Sequence, residues 1–202
     1  MLNTSNICTN NFIYQSFSVQ YNTCQRKLNN PYFPLQLSVD SKEAFKKAVG
    51  YDNTPYRFTN GYRKKSNFVD TDCIIVDIDN DSSKCPELWD CETEWLDWEG
   101  LCRMLPDVEI WAATSRSHMK HKGERKPRPK LHVYFPLGGK KGQEETELML
   151  KAICSKLVRK DGEKWFDPAV CNVSNWLAGD DDKQVFHQKG HTMDQLGWVR
   201  QF

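Results

Sequence analysis

Three stretches of this chain are apolar almost without a break: Cys73-Ile74-Ile75-Val76, Val108-Glu109-Ile110-Trp111-Ala112-Ala113 and Leu131-His132-Val133-Tyr134-Phe135. Short runs of this kind predict strands buried on both faces, at the centre of a sheet. Earlier in the chain the pattern alternates instead. Phe17-Ser18-Val19-Gln20-Tyr21 and the stretch from Phe33 to Val39 predict two strands with one face packed. Asp40, three residues before Glu43, makes a capping-box pattern, and Ala44, Phe45, Ala48 and Val49 give one apolar face before Gly50 ends a short helix. Trp95, Trp98, Cys102 and Leu105 recur at helical spacing until Pro106, which predicts a helix with its tryptophans toward the core. Leu150, Ile153, Cys154 and Leu157 mark the apolar face of another helix, within about residues 143–159.

From residue 73 onward the order is strand, helix, strand, strand, helix, which is that of a split β-α-β, ferredoxin-like unit. The expected fold is therefore α+β, with an N-terminal α/β lobe over about residues 16–70 and a second lobe over about residues 71–202. Residues 1–15, rich in Asn and Thr, read as a loosely held leader. At 202 residues the chain can bury one proper core, and no repeat or low-complexity linker divides it.

Composition narrows the chemistry only locally. The 28 Lys and Arg nearly balance the 27 Asp and Glu, so net charge points to no partner. Their distribution does. Between Arg116 and Lys130 lie seven Lys or Arg, two His and one acid, whereas Asp81 to Glu99 carries seven acids against Lys84. Such blocks set opposite local potentials. Eight cysteines include no C-x-x-C pair, so no structural zinc is expected. The first residues show no charged region followed by an apolar one, which makes reduced thiols and a cytoplasmic location the expectation. No apolar run reaches the roughly 20 residues of a membrane helix.

Candidate chemistry gathers where the first apolar run ends. Alternate strand residues share a face, so Asp77 and Asp79 emerge about 6–7 Å apart. Two such carboxylates repel unless a cation lies between them, and a hard divalent metal supplies that charge. The competing reading is a strand running out into an Asp79-Asn80-Asp81 turn. His132 should share a face with Tyr134, and the loop before it, from Ser115-Arg116-Ser117-His118 to Arg128-Pro129-Lys130, offers hydroxyls, guanidinium and ammonium groups fit for a triphosphate. Trp165-Phe166-Asp167-Pro168 is a helix start with Asp167 as N-cap, and in company with Asp77 and Asp79 it is a candidate third carboxylate. Upstream, Arg57, Arg63, Lys64 and Lys65 are interleaved with Tyr56, Phe58 and Tyr62, a mixture suited to stacking on bases and meeting phosphates, or to a solvated hairpin.

Taken in order, Ile75-Val76-Asp77-Ile78-Asp79, Lys130-Leu131-His132 and Trp165-Phe166-Asp167 resemble the three motifs of the archaeo-eukaryotic primase superfamily, especially the primase-polymerases of plasmids, phages and other mobile elements. The resemblance spans about residues 55–180. Two histidines compete for the second motif: His132, which a strand follows, and His118, which has the small residue Ser117 before it, whereas Lys130 stands where the family usually has a small residue.

The resemblance implies an RRM-like catalytic sheet packed with the N-terminal lobe, and a template-directed DNA primase-polymerase that uses NTPs or dNTPs. It implies Asp77, Asp79 and Asp167 as ligands of two Mg²⁺ or Mn²⁺ ions, and His132 at the incoming triphosphate. Lys130, Arg128, Ser115, Ser117 and His118 would assist at the nucleotide, and Arg57, Arg63 and Lys65 would hold nucleic-acid phosphates. Expected partners are a single-stranded DNA template, a primer, and a helicase domain or protein outside this chain, with no membrane. Two other classes compete. A rolling-circle initiator or relaxase needs His-x-His, and Lys130 occupies the first of those places. A non-catalytic single-strand-binding module needs only the basic and aromatic segments.

Overall fold

The computed structural model describes residues 15–22, 30–81, 91–121, 123 and 125–197. The expected leader lies almost wholly outside them, as do parts of the acidic and basic stretches. Two antiparallel sheets carry the fold. The smaller has the order β2-β1-β3, from β1 (Phe17–Tyr21), β2 (Leu35–Val39) and β3 (Asn53–Thr54). Between β2 and β3 comes α1 (Lys42–Val49), whose N-cap is Ser41, accepting from the Ala44 N–H at 3.2 Å. The cap thus falls one residue after the expected Asp40, because the Ser41 backbone is the extended one and its short hydroxyl reaches the orphan amide.

The larger sheet has the order β4-β5-β7-β6-β8, from β4 (Arg57–Phe58), β5 (Phe68–Ile78), β6 (Ile110–Thr114), β7 (Leu131–Lys141) and β8 (Val185–Gln188). Helix α2 (Trp98–Met104) connects β5 to β6, and α3 (Gln143–Lys156) follows β7. Since β7 is antiparallel to both neighbours, β5 and β6 run parallel with β7 between them. The order of elements expected from residue 73 onward is therefore present. The strand after α3, which sequence patterning did not single out, pairs with β6 at the far edge, while β4 flanks β5.

Register decides what each face carries. Ile75 pairs with Tyr134 and Asp77 with His132, while Trp111 pairs with Tyr134 and Ala113 with His132. Residues paired across a sheet share a face, so Trp111, Tyr134, His132 and Asp77 lie together. The N-terminal lobe packs on the apolar part of that face. Phe45 sets its ring 5.3 Å from that of Trp111 and 5.1 Å from that of Tyr134, and Phe17 lies 6.1 Å from both. The buried Tyr134 hydroxyl donates to Asn53 Oδ1 at 2.7 Å, tying the two sheets. Helix α3 packs against β5 and buries Met149, Leu150 and Ile153.

The tryptophan stripe needs correcting. Helix α2 begins at Trp98, with the Asp97 carboxylate accepting from the Gly100 N–H at 2.7 Å, so Trp95 precedes it. Leu96, Leu101 and Leu105 are the buried residues here, and Trp98 is half-buried, stacked on Phe186 of β8. Large rings cover the rim of the core while the smaller leucines fill it.

Candidate active site

Asp77 and Asp79 stand at the C-terminal end of β5, where the ladder to β7 stops and a new pairing begins. Ile78 bridges Phe166, and the Asp167 N–H donates to the Asp77 carbonyl at 3.0 Å. The amides of Asp79 and Asn80 both donate to the Trp165 carbonyl, at 2.9 and 3.1 Å. A segment nearly ninety residues downstream thereby delivers Asp167 to the strand that carries the other two carboxylates. Asp167 caps a short 3₁₀ turn, Pro168–Val170, through an Ala169 N–H at 2.8 Å, as its Asp-Pro sequence predicts.

Asp77 feels the other two acids. Asp77 is pushed up to about 7, first by desolvation and then by the charges of Asp79 and Asp167, against the opposing pull of Lys130 and Lys183. Its Oδ1 is buried and has no hydrogen-bond partner. The closest cationic candidate, His132 Nε2, is 3.9 Å away, too far to bond. Asp79 is ion-paired with Lys130, whose side chain is only 5% exposed.

His132 is buried directly across from Asp77. Its Nδ1 lies 3.0 Å from the ammonium of Lys183, which also donates to the Ala178 carbonyl at 2.6 Å. Burial first, and then the charges of Lys183 and Arg116, hold the imidazole well below its ordinary range, so it is neutral. Burial likewise lowers Lys183 to about 8, with Asp77 and Asp180 pulling it back up. The Ala178 carbonyl reaches Lys183 because the chain at Gly179 runs hard against Tyr51. A Cβ there would fall 2.2 Å from the Tyr51 carbonyl carbon, so only glycine fits.

His118 occupies a different position from His132. Its Nδ1 sits 3.1 Å from both the backbone nitrogen and the oxygen of Lys130, in a turn closed by Ser115, whose N–H donates to the Lys130 carbonyl at 2.9 Å. Ser115 and Ser117 place their hydroxyl oxygens 3.4 Å apart in the same turn. Arg116 is exposed, and its charge acts on both His132 and Lys183. Arg128 is buried and braces the backbone, donating to the Asn80 carbonyl at 2.9 Å. Asn80 is itself a clasp. Held at φ 47°, it receives the Leu96 N–H at 2.8 Å and donates to the carbonyls of Leu96 at 3.0 Å and Pro129 at 2.8 Å.

The remaining sequence candidates lie elsewhere. Arg57 forks onto Asp70, seven residues before Asp77 and so about 23 Å back along the strand. Arg63 donates to the Ser174 carbonyl at 2.7 Å and lies over the Trp176 ring, and Lys65 pairs with Glu147 at 2.8 Å. Sequence reasoning missed Lys183. Its one local signal is a single cation after Asp180-Asp181-Asp182 and before the alternating Val185-Phe186-His187-Gln188.

Three carboxylates, one of them holding a buried orphan oxygen, are the donor chemistry of a hard divalent cation. Among the described residues, no three His, Cys, Asp or Glu side chains already converge as a cage. The reason is visible: Asp79 is turned onto Lys130, and Asp167 onto the Ala169 amide. To hold such a cation, those two carboxylates would have to exchange their present partners for it.

No protein-family model and no curated sequence matches the chain. Among solved structures, the chain is similar to the AEP domain of the primase-polymerase (PrimPol) of cyanophage S-2L, at 12% identity, over 92% of this chain and 88% of that one, with a TM-score of 0.43.

Proposed function

We propose that this chain is the catalytic domain of a template-directed nucleotidyltransferase, a primase-polymerase built on an RRM-like sheet. One observation carries the proposal. Asp77, His132 and Asp167, from three distant segments, meet at one strand end, where Asp77 retains a buried oxygen without a hydrogen-bond partner.

Asp77, Asp79 and Asp167 are the residues that would hold Mg²⁺ or Mn²⁺. When bound, such ions activate an attacking hydroxyl and neutralise charge on the phosphates. The protein's own groups do the rest. In the metal-free chain Lys130 neutralises Asp79, and a bound cation would take over that role. The neutral His132 stands over the site beside two cations, the buried Lys183 and the exposed Arg116, on the side where a polyphosphate would lie. Ser115, Ser117 and His118 flank Lys130 and complete a polar rim. Template, primer and nucleotide are the ligands this reading requires.

Incubation with single-stranded templates, Mn²⁺ or Mg²⁺, and labelled ribo- or deoxyribonucleotides, with and without primer, tests it directly. Product that depends on template, and that disappears in Asp77→Ala and Asp79→Ala proteins of unchanged circular dichroism, supports the reading. Synthesis retained in both variants ends it.

A further inference from the structure

Lys183 meets His132 in a way that decides which of the ring nitrogens holds the proton. An ammonium group has donors only, and the Lys183 Nζ lies 3.0 Å from His132 Nδ1 while it also donates to the Ala178 carbonyl. Nδ1 must therefore be the acceptor. In a neutral imidazole the single proton is then on Nε2, the nitrogen that faces Asp77 at 3.9 Å. Lys183 and His132 are both nearly sealed from solvent, 4% and 5% exposed, so water does not compete for Nδ1.

We infer that Lys183 is a positioning residue that fixes His132 as an Nε2–H donor, suited to an anionic phosphate oxygen and unable to ligate a metal. Metal ligation through Nε2 requires its proton to leave. The vacated proton would have to move to Nδ1, which faces an ammonium with no lone pair to accept from it. A phosphate oxygen makes the opposite demand, since it needs a donor and finds one already oriented. The same cluster thus separates two jobs: carboxylates for cations, imidazole N–H for the anion. This rests on the proposed function only for the anion's identity as a nucleotide triphosphate.

The tautomer is measured on the full chain without metal or nucleotide, by long-range proton–nitrogen correlation spectra of ¹⁵N-histidine-labelled protein at neutral pH. The His132→Asn protein identifies the resonance among the five histidines. Expected is an unprotonated Nδ1 and a protonated Nε2, with Nε2 shifted by inorganic tripolyphosphate and still protonated after Mg²⁺ alone. A protonated Nδ1 in the wild-type chain, or an Nε2 that loses its proton on adding Mg²⁺, overturns the inference without any variant needing to fold. Lys183→Met should populate the Nδ1–H form, and Lys183→Arg should restore the wild-type pattern.

In the polymerase assay, Lys183→Met should raise KM for nucleotide about tenfold with kcat little changed, the loss expected of one misoriented charge-assisted bond. Equal loss in the Met and Arg variants would mean that Lys183 acts only through packing. A chain with the expected tautomer and tripolyphosphate shift but no polymerisation overturns the proposed function and leaves this inference standing.

Discussion

Strand β5 carries the same short pattern twice, Asp70-Thr71-Asp72 near its start and Asp77-Ile78-Asp79 at its end, and the two differ in what already satisfies them. Asp70 is gripped by Arg57, whose hydrogen bonds hold its carboxyl below the usual range, and Asp72 accepts from the Ser18 N–H at 2.8 Å. Both belong to the joint with β4 and β1. At the other end, Asp77 keeps a buried oxygen that no protein donor reaches, and a third acid is brought alongside. Identical spacing therefore gives structural ties in one place and a candidate cation site in the other. The distinction lies in Asp77, whose buried oxygen keeps unspent hydrogen-bonding capacity, whereas Asp79, like Asp70, is already paired with a cationic side chain.

The sharpest way to break the contrast is to delete each pair. Asp77→Ala or Asp79→Ala should lower template-dependent synthesis by about a thousandfold or more, as loss of several kcal/mol of charge stabilisation implies. Asp70→Ala should leave kcat within about twofold, since an ion pair remote from the chemistry contributes none of that charge stabilisation. Comparable loss in both pairs would erase the distinction.

A second test is stability against pH. Asp77 titrates near 7 in the folded chain and near 3.8 when unfolded, so between these values the folded state binds the extra proton. Its contribution is fully present below pH 3.8 and is lost as pH rises to about 7. The metal-free wild type should accordingly lose stability across this window, by chemical denaturation, relative to Asp77→Asn. Mg²⁺ should recover part of the loss near pH 7. Parallel pH profiles for wild type and Asp77→Asn would show that Asp77 is not held in this unfavourable state.

Midway along the strand, Tyr134 pairs with Ile75 and ties the lobes through Asn53. Tyr134→Phe should cost about 1–3 kcal/mol by leaving the Asn53 oxygen buried without its donor. Smallest of all, Arg57→Ala should cost under about 1 kcal/mol, because the Arg57 side chain is 40% exposed and its pair is solvent-screened. Reversal of that order would mean that the two ends of β5 are braced differently from what the hydrogen bonds indicate.

Much of the half that carries the candidate site was readable in advance because its signals are local. An apolar run ending in acids is a strand end wherever it folds, Asp-Pro is a cap, and the alternation around His132 put it on the same face as Tyr134, as the register confirms. What escaped depends on partners remote in sequence. Lys183 matters through His132, fifty-one residues earlier, and no periodicity reports such a contact. The converse case concerns Arg57, Arg63, Arg128 and Lys65. As letters they look like free cations, yet Asp70, the Ser174 carbonyl, the Asn80 carbonyl and Glu147 engage them. Charge can be read from sequence, but whether that charge is already engaged cannot.

The Asn80 clasp has a consequence for how such a domain can change over time. Its side chain joins the chain leaving the carboxylates to Leu96, just before α2, and to Pro129, just before β7. The ends of the segment between Asn80 and Leu96 are therefore tied by one amide, and those of the segment between Ser115 and Lys130 by the Ser115 N–H on the Lys130 carbonyl. Lengthening a loop whose ends are already tied adds an entropy cost that grows only with the logarithm of its length. Insertions or deletions in either segment should leave Asp77, Asp79 and His132 where they are, so both segments can vary without moving the candidate site.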